Sequence, residues 1–302
     1  MICYSLTGEG LVGDGAFAAG LSKALGASPG ELEIHRFPDG ETRVRLCTDC
    51  AGQSVIFVHD GRDANASALP LYFAAHAARA QGARRVGLVA PYLPYMRQDR
   101  SFHAGEAVSA RAFAGFLSGC VDWIATVDPH LHRIHSLDEI FAIPALCISA
   151  MPAIADWIAA HVTAPVIVGP DAESRQWVDA VAGALAAPGM VLVKNRAGDR
   201  QVSVSVPDAQ LLRGRSPVIL DDIASSGHTL AETAKALRSQ GSLPVTCVVV
   251  HGLLADGAEA ALHAAGVERL VSTNTLAHAS NGIDVIPLVA RGIQALLEGA
   301  GN

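Results

Sequence analysis

Charge, aromatic side chains and long apolar runs are all scarce in this 302-residue chain. Charged residues make up 17% and aromatic residues 5%, while 50% are hydrophobic, enough to bury a large core. That balance excludes a disordered or fibrous polypeptide. Basic residues are in the minority: 22 Lys and Arg against 29 Asp and Glu give a formal net charge of −7. The chain therefore lacks the electrostatic footprint of a general nucleic-acid binder, although a few cations and backbone N–H groups suffice to hold a phosphate locally. Apolar runs such as Val245–Val250 are of strand length and none spans a bilayer. The opening residues MICYSLTGEG hold no basic start followed by an apolar stretch, so no signal peptide is expected. Six cysteines over this length make no disulfide framework, and Cys47-Thr-Asp-Cys50 is a lone C-x-x-C read as two thiols. The expectation is a cytoplasmic protein that binds neither membrane nor nucleic acid.

What the chain does have is a regular alternation of short β-rich runs and Ala-rich helical patterns. Ser54–His59 reads as a strand, Ala66–Gln81 as a helix, Arg85–Ala90 as a strand, Val108–Leu117 as a helix, and Trp123–Val127 as a strand. After a helix at Met151–His161 the rhythm repeats. Strands are expected at Pro165–Val168, Met190–Val193, Pro217–Leu220 and Val245–Val250, with helices at Ser174–Leu185 and Thr229–Gln240. Such alternation predicts an α/β fold of mainly parallel sheets flanked by helices. Two units fit the length better than one, with domains expected at residues 1–147 and 148–302.

Ligands of such sheets sit beyond the carboxyl ends of the strands, and here those ends are polar. They carry Pro91–Arg100, Asp128-Pro-His130, Gly169-Pro-Asp171, Lys194-Asn-Arg196 and Asp221-Asp222. The most informative stretch is Ser216–Leu230, SPVILDDIASSGHTL. An apolar strand runs into two carboxylates, then a turn of small residues, then a helix beginning near His228. Ser225, Ser226 and Gly227 let successive N–H groups point inward with a helix N-terminus behind them, a cradle for a phosphate dianion. Asp221 and Asp222 suit vicinal hydroxyls, or Mg²⁺ through water. A Ser N-cap on a helix would explain Ser226 alone, but not two adjacent acids.

This stretch resembles the phosphoribosyl diphosphate (PRPP) motif of the type I phosphoribosyltransferase fold. Together with Phe37-Pro-Asp-Gly-Glu41, Arg97-Gln-Asp-Arg100, Asp128-Pro-His130, Pro170-Asp171 and Lys194-Asn-Arg196, it resembles the ribose-phosphate pyrophosphokinase family in order and spacing. The resemblance runs from about residue 30 to Thr275. It implies two tandem phosphoribosyltransferase-like domains, the first on the ATP side and the second on the ribose 5-phosphate side. It also implies Mg²⁺-dependent transfer of the β,γ-diphosphoryl group of ATP to the C1 hydroxyl of ribose 5-phosphate, giving PRPP and AMP. By the same resemblance Phe37, Asp39 and Glu41 read the adenine from a neighbouring subunit of a homo-oligomer. Arg97, Gln98, Asp99 and His130 lie on the ATP side, and His130 and Asp171 are associated with magnesium, with Asp128 a further candidate. Asp221, Asp222, Ser225, Ser226, Gly227, His228 and Thr229 hold ribose 5-phosphate. Lys194 and Arg196 stabilise the transferring group, Arg196 also meeting the sugar phosphate.

Several positions depart from the family pattern. Phe141-Ala-Ile-Pro-Ala-Leu146 lacks both acids of the usual F-D-I-P-x-D, and the segment between His130 and Phe141 is lengthened. Ser225 stands for the usual Asp, Ser226 for Thr and His228 for a small residue, while Arg100–Ser109 looks closer to archaeal-type members. Two other readings stay open at this level: a phosphoribosyltransferase that consumes PRPP, and a non-catalytic regulatory homologue. The first would have no use for the Phe37 and Arg97 motifs; the second would have no use for Lys194 and Arg196.

Overall fold

The computed structural model describes residues 1–8, 11, 13, 15–197 and 201–299, with backbone alone for 194–197 and 201–204. In chain order the elements are β1 (Ile2–Ser5), α1 (Ala16–Leu25), β2 (Ser28–Gly30), β3 (Leu32–Arg36), β4 (Thr42–Leu46), β5 (Ser54–Val58), α2 (Ala64–Ala80) and β6 (Arg85–Ala90). There follow α3 (Ser109–Cys120), β7 (Trp123–Val127), β8 (Ala145–Ile148), α4 (Met151–His161), β9 (Pro165–Gly169), α5 (Arg175–Leu185), β10 (Gly189–Val191) and β11 (Val193–Ala197). The last are β12 (Gln201–Ser205), β13 (Ser216–Ala224), α6 (His228–Ser239), β14 (Val245–Gly252), α7 (Ala258–Ala264), β15 (Val267–Thr273), β16 (Asn281–Ile283) and α8 (Ile286–Gly299). Among the described residues no helix is long and apolar enough to cross a membrane.

The second half repeats the first element for element. One parallel sheet has the order β2-β1-β5-β6-β7-β8 and the other β10-β9-β13-β14-β15-β16. Each carries a separate antiparallel hairpin at the same place in the order, β3-β4 and β11-β12. The central strands are buried on both faces because helices cover both: β7 (WIATV) is buried throughout, and β6 nearly so. Close strand packing uses a missing side chain at Gly87, where a Cβ would lie 2.1 Å from the Trp123 ring. The first core gathers Tyr4, Phe57, Leu88 and Ile124 with Leu71 of α2 and Leu117 of α3. The second gathers Val166, Ile219, Cys247 and Val249 with Leu230 and Leu237 of α6.

Two compact units result: Met1–Ser149 with Thr275–Ala277 and the segment from Val285 on, and Ala150–Asn274 with His278–Asp284. The boundary expected at residue 147 leaves every later residue to the second domain. In the structure α8 packs on α1 and β8 of the first unit, while α4 packs on α5 of the second. Two further differences bear on the site. The strand expected at Pro217–Leu220 continues to Ala224, because β13 stays paired with β14 as far as Ala224 opposite Gly252. Gln201–Ser205, where no strand was expected, pairs antiparallel with Val193–Ala197.

Candidate active site

The turn between β13 and α6 is shaped by its backbone. Leu254 N–H donates to Ala224 O at 2.9 Å and Ala255 N–H to Ser225 O at 3.0 Å. Gly227 sits at the helix N-cap with φ 73°, a conformation that favours glycine. The N-cap Gly227 brings no side chain to α6, and the His228 N–H donates to the Ser226 Oγ at a long 3.5 Å. A helix start held by one long side-chain contact suits an anion at its N–H groups. Asp221 and Asp222 precede the turn inside the strand, Asp221 half-buried and Asp222 buried. The two carboxylates therefore differ in exposure and are not equivalent acceptors. Ser225 and Thr229 are half-buried, and Ser226 and His228 are exposed.

The matching turn in the first unit is closed. Asp63 caps α2, its carboxylate accepting from Ala66 N–H at 3.2 Å. Asp60 accepts from the backbone, Nε and Nη2 of Arg62 at 3.0, 3.0 and 2.7 Å. Carboxylates already occupy the positive end of α2, and a phosphate there would meet like charge. The same fold element is therefore open to an anion in one unit and filled in the other.

The remaining candidates of the second unit lie on neighbouring strands. Asp171 follows β9, the strand paired with β13, and caps a short 3-10 turn by accepting from Glu173 N–H at 3.1 Å. Lys194 and Arg196 are on β11, opposite Val204 and Val202 of β12. Their side chains lie outside the described residues.

In the first unit the strand-end loops carry the other candidates. Arg97 is exposed. Gln98, expected on the ATP side, also braces α3: its Oε1 accepts from Ser109 N–H at 2.6 Å and its Nε2 donates to Ala107 O at 2.8 Å. Asp99 is buried, its carboxylate accepting from the backbone and guanidinium of Arg133. The ordinary loop position of Asp99 in the sequence gave no sign of a partner 34 residues away. Asp128 is buried with φ 31°, and Tyr95 has φ 69° while donating to Asn65 Oδ1. Among the described residues these are two of five non-glycine positions with positive φ. His130 is half-buried beside His132, ring centroids 6.3 Å apart.

Phe37, Asp39 and Glu41 are not at the strand ends. They form the exposed tip of the β3-β4 hairpin, where Phe37 N–H donates to Glu41 O at 2.8 Å and Asp39 caps Glu41 N–H at 3.0 Å. Phe37 is 39% exposed, its ring edge-on to His35 at 4.7 Å.

Two family profiles match the chain in tandem. Residues 12–120 match the N-terminal domain of ribose phosphate pyrophosphokinase, and residues 136–285 match the phosphoribosyl transferase domain. A ribose-phosphate pyrophosphokinase from Methanopyrus kandleri is 32% identical over 91% of this chain and 94% of its own length. One from Methanosarcina acetivorans is 31% identical over 92% and 96%. The chain belongs to the ribose-phosphate pyrophosphokinase family. The crystal structure of phosphoribosylpyrophosphate synthetase from Mycobacterium smegmatis superposes with a TM-score of 0.84 at 25% identity, covering 99% of each chain. The fold class expected from the sequence, two phosphoribosyltransferase-like domains with parallel sheets flanked by helices, is the one observed. A match to the pyrophosphokinase N-terminal domain is what a transferase that merely consumes PRPP would lack.

Proposed function

We propose that this chain converts ATP and ribose 5-phosphate to PRPP and AMP. The observation that carries the reading is the Gly227-capped N-terminus of α6 in the turn after Asp221-Asp222, held by one long contact from Ser226, in a fold whose other copy of that turn is filled by its own acids. Ribose 5-phosphate presents a phosphate dianion and a diol, and this turn offers N–H donors and carboxylate acceptors to match. The 5-phosphate lies against Ser225–Thr229, and Asp221 and Asp222 accept from the sugar hydroxyls and orient the C1 hydroxyl. ATP lies at the strand ends of the first unit, beside Arg97 and His130. Gln98 and Asp99 serve that site by bracing its walls rather than by touching the nucleotide. Lys194 and Arg196 supply positive charge to the diphosphoryl group in transit, because such transfers depend on positioning and charge neutralisation.

Magnesium fits the residues present. Among the described residues no three His, Cys, Asp or Glu side chains converge as a protein-only cage. A hard cation that keeps its waters and is held by substrate phosphates needs only one or two protein oxygens; in the second unit Asp171 and the Asp221-Asp222 pair carry such oxygens, and in the first unit Asp128 does, near His130. Bound there, Mg²⁺ neutralises phosphate charge. The exposed Phe37 hairpin supports the reading that, in a homo-oligomer, Phe37, Asp39 and Glu41 meet the adenine in a neighbouring subunit's site.

Incubation of the protein with ATP, ribose 5-phosphate and Mg²⁺, followed by nucleotide analysis, is the test. AMP should form in step with PRPP and only when both substrates are present. ADP as the main nucleotide product would indicate an ordinary kinase, and no turnover a regulatory homologue; either overturns the proposal.

A further inference from the structure

After β7 the chain runs Asp128-Pro-His-Leu-His-Arg133, and this stretch is fastened at both ends. Asp128 N–H donates to Ile148 O of β8 at 3.0 Å. Arg133 is tied to the loop after β6: its backbone N–H donates to Asp99 Oδ2 at 3.1 Å and its Nη1 to Oδ1 at 2.9 Å. Just beyond, Ser136 and Glu139 form a reciprocal capping box, and Glu139 Oε1 also accepts from His135 N–H at 2.8 Å. Only residues 129–132 lie between the two anchors, and His130 is among them.

The Asp99 side chain is 3% exposed and that of Arg133 is 47% exposed, so this is not a solvated surface pair. Burial raises the Asp99 pKa, but the hydrogen bonds and charge of Arg133 outweigh it and hold the carboxyl below its ordinary range. Both carboxylate oxygens are committed to one residue, through a backbone and a guanidinium donor, which fixes path and orientation together. Asp99 in turn follows Arg97 by two residues and Gln98 by one, and Gln98 holds that loop to α3.

We infer that Arg133 is a positioning residue, which through Asp99 sets where His130 stands relative to Arg97. The inference rests on the reading that those two side chains serve ATP. It also gives the lengthened segment after His130 a role, because the anchor residue lies within it.

The test compares the wild type with Arg133→Ala, Arg133→Lys and Asp99→Asn, by steady-state kinetics and by amide hydrogen exchange of residues 129–135. Misplacing the ATP-side groups should raise KM for ATP about tenfold or more in Arg133→Ala, with KM for ribose 5-phosphate changed less than about twofold. Arg133→Lys should recover part of the loss, and exchange across 129–135 should rise in Arg133→Ala and Asp99→Asn. A lower kcat with both KM values unchanged would mean fewer folded molecules, and would overturn the inference. So would unchanged exchange in all three variants. If the wild type made no AMP, the ATP reading would fail, while the exchange data would still decide whether Arg133 fastens this stretch. Should Arg133→Ala not fold, the Lys and Asn variants carry the same comparison.

Discussion

Asp221 and Asp222 are neighbours in sequence but not in environment, since the end of β13 buries the second more deeply. Removing charge from both should raise KM for ribose 5-phosphate by about a hundredfold, the scale of two lost charge-assisted hydrogen bonds. KM for ATP should change little. Asp222→Asn alone should also lower Tm more than Asp221→Asn, because a buried acceptor is harder to replace than a half-exposed one. Steady-state kinetics and calorimetry on the three variants check this, and an active double variant would remove the pair from the sugar site. The same scale shows where sequence reading stops. Asp221, Asp222, Ser225 and Gly227 are legible because strand, acids and turn follow one another within a dozen residues. Gln98 and Asp99 sit in an equally suggestive run after β6, yet they are spent on Ser109 and Arg133. Which residue a side chain meets across the fold is not written in local spacing.

At the scale of elements, the central strands β5, β6, β7, β9 and β14 were legible as short apolar runs, and the helices between them as Ala-rich periodic ones. The hairpins were not. β3 and β4 carry short alternations interrupted by charged residues, with only Leu46 fully buried, and β12 reads QVSVS, polar enough to pass for a loop. What no pattern revealed is the contrast between two equivalent helix starts, α2 capped by the Asp63 carboxylate and α6 by Gly227 with one long contact from Ser226. That contrast is testable by making the open turn resemble the closed one. In Ser226→Asp a carboxylate would stand beside the His228 N–H, where the Ser226 Oγ is now 3.5 Å away. A carboxylate there favours the helix start by about 0.3–1 kcal/mol, so Tm should hold or rise slightly. The same charge repels the sugar phosphate, and KM for ribose 5-phosphate should rise more than about tenfold. Stability and substrate binding would thus move in opposite directions. Unchanged KM would mean that the phosphate does not lie at α6.

At the scale of the whole molecule, the duplication is complete except in where its last helices go. Each repeat ends with a helix after its last strand, but α4 packs with α5 and α8 packs with α1 and β8. The sequence shows the repeat in its alternating rhythm; the exchange is invisible, because α8 is an amphipathic helix that could cover either sheet. Glycine marks the contacts that decide it. A Cβ at Gly20 of α1 would lie 2.6 Å from Ile286 Cδ1, and one at Gly292 of α8 would lie 3.0 Å from Leu146 Cδ2. Val289, Ala290 and Ile293 are the buried face of α8. Burying a Val or Ile side chain contributes roughly 1.5–3 kcal/mol, so two of them are a sizeable part of a net stability of about 5–15 kcal/mol. Ile293→Ala should therefore cost about 2–5 kcal/mol, and the place where it is felt is the informative part. Hydrogen exchange should rise in α1 and β8, within Met1–Ser149, and stay unchanged in α5 and β16. A division at residue 147 into independent tandem domains expects the reverse, with loosening confined to the C-terminal half. Exchange that rises in β16 but not in β8 would return α8 to the second unit.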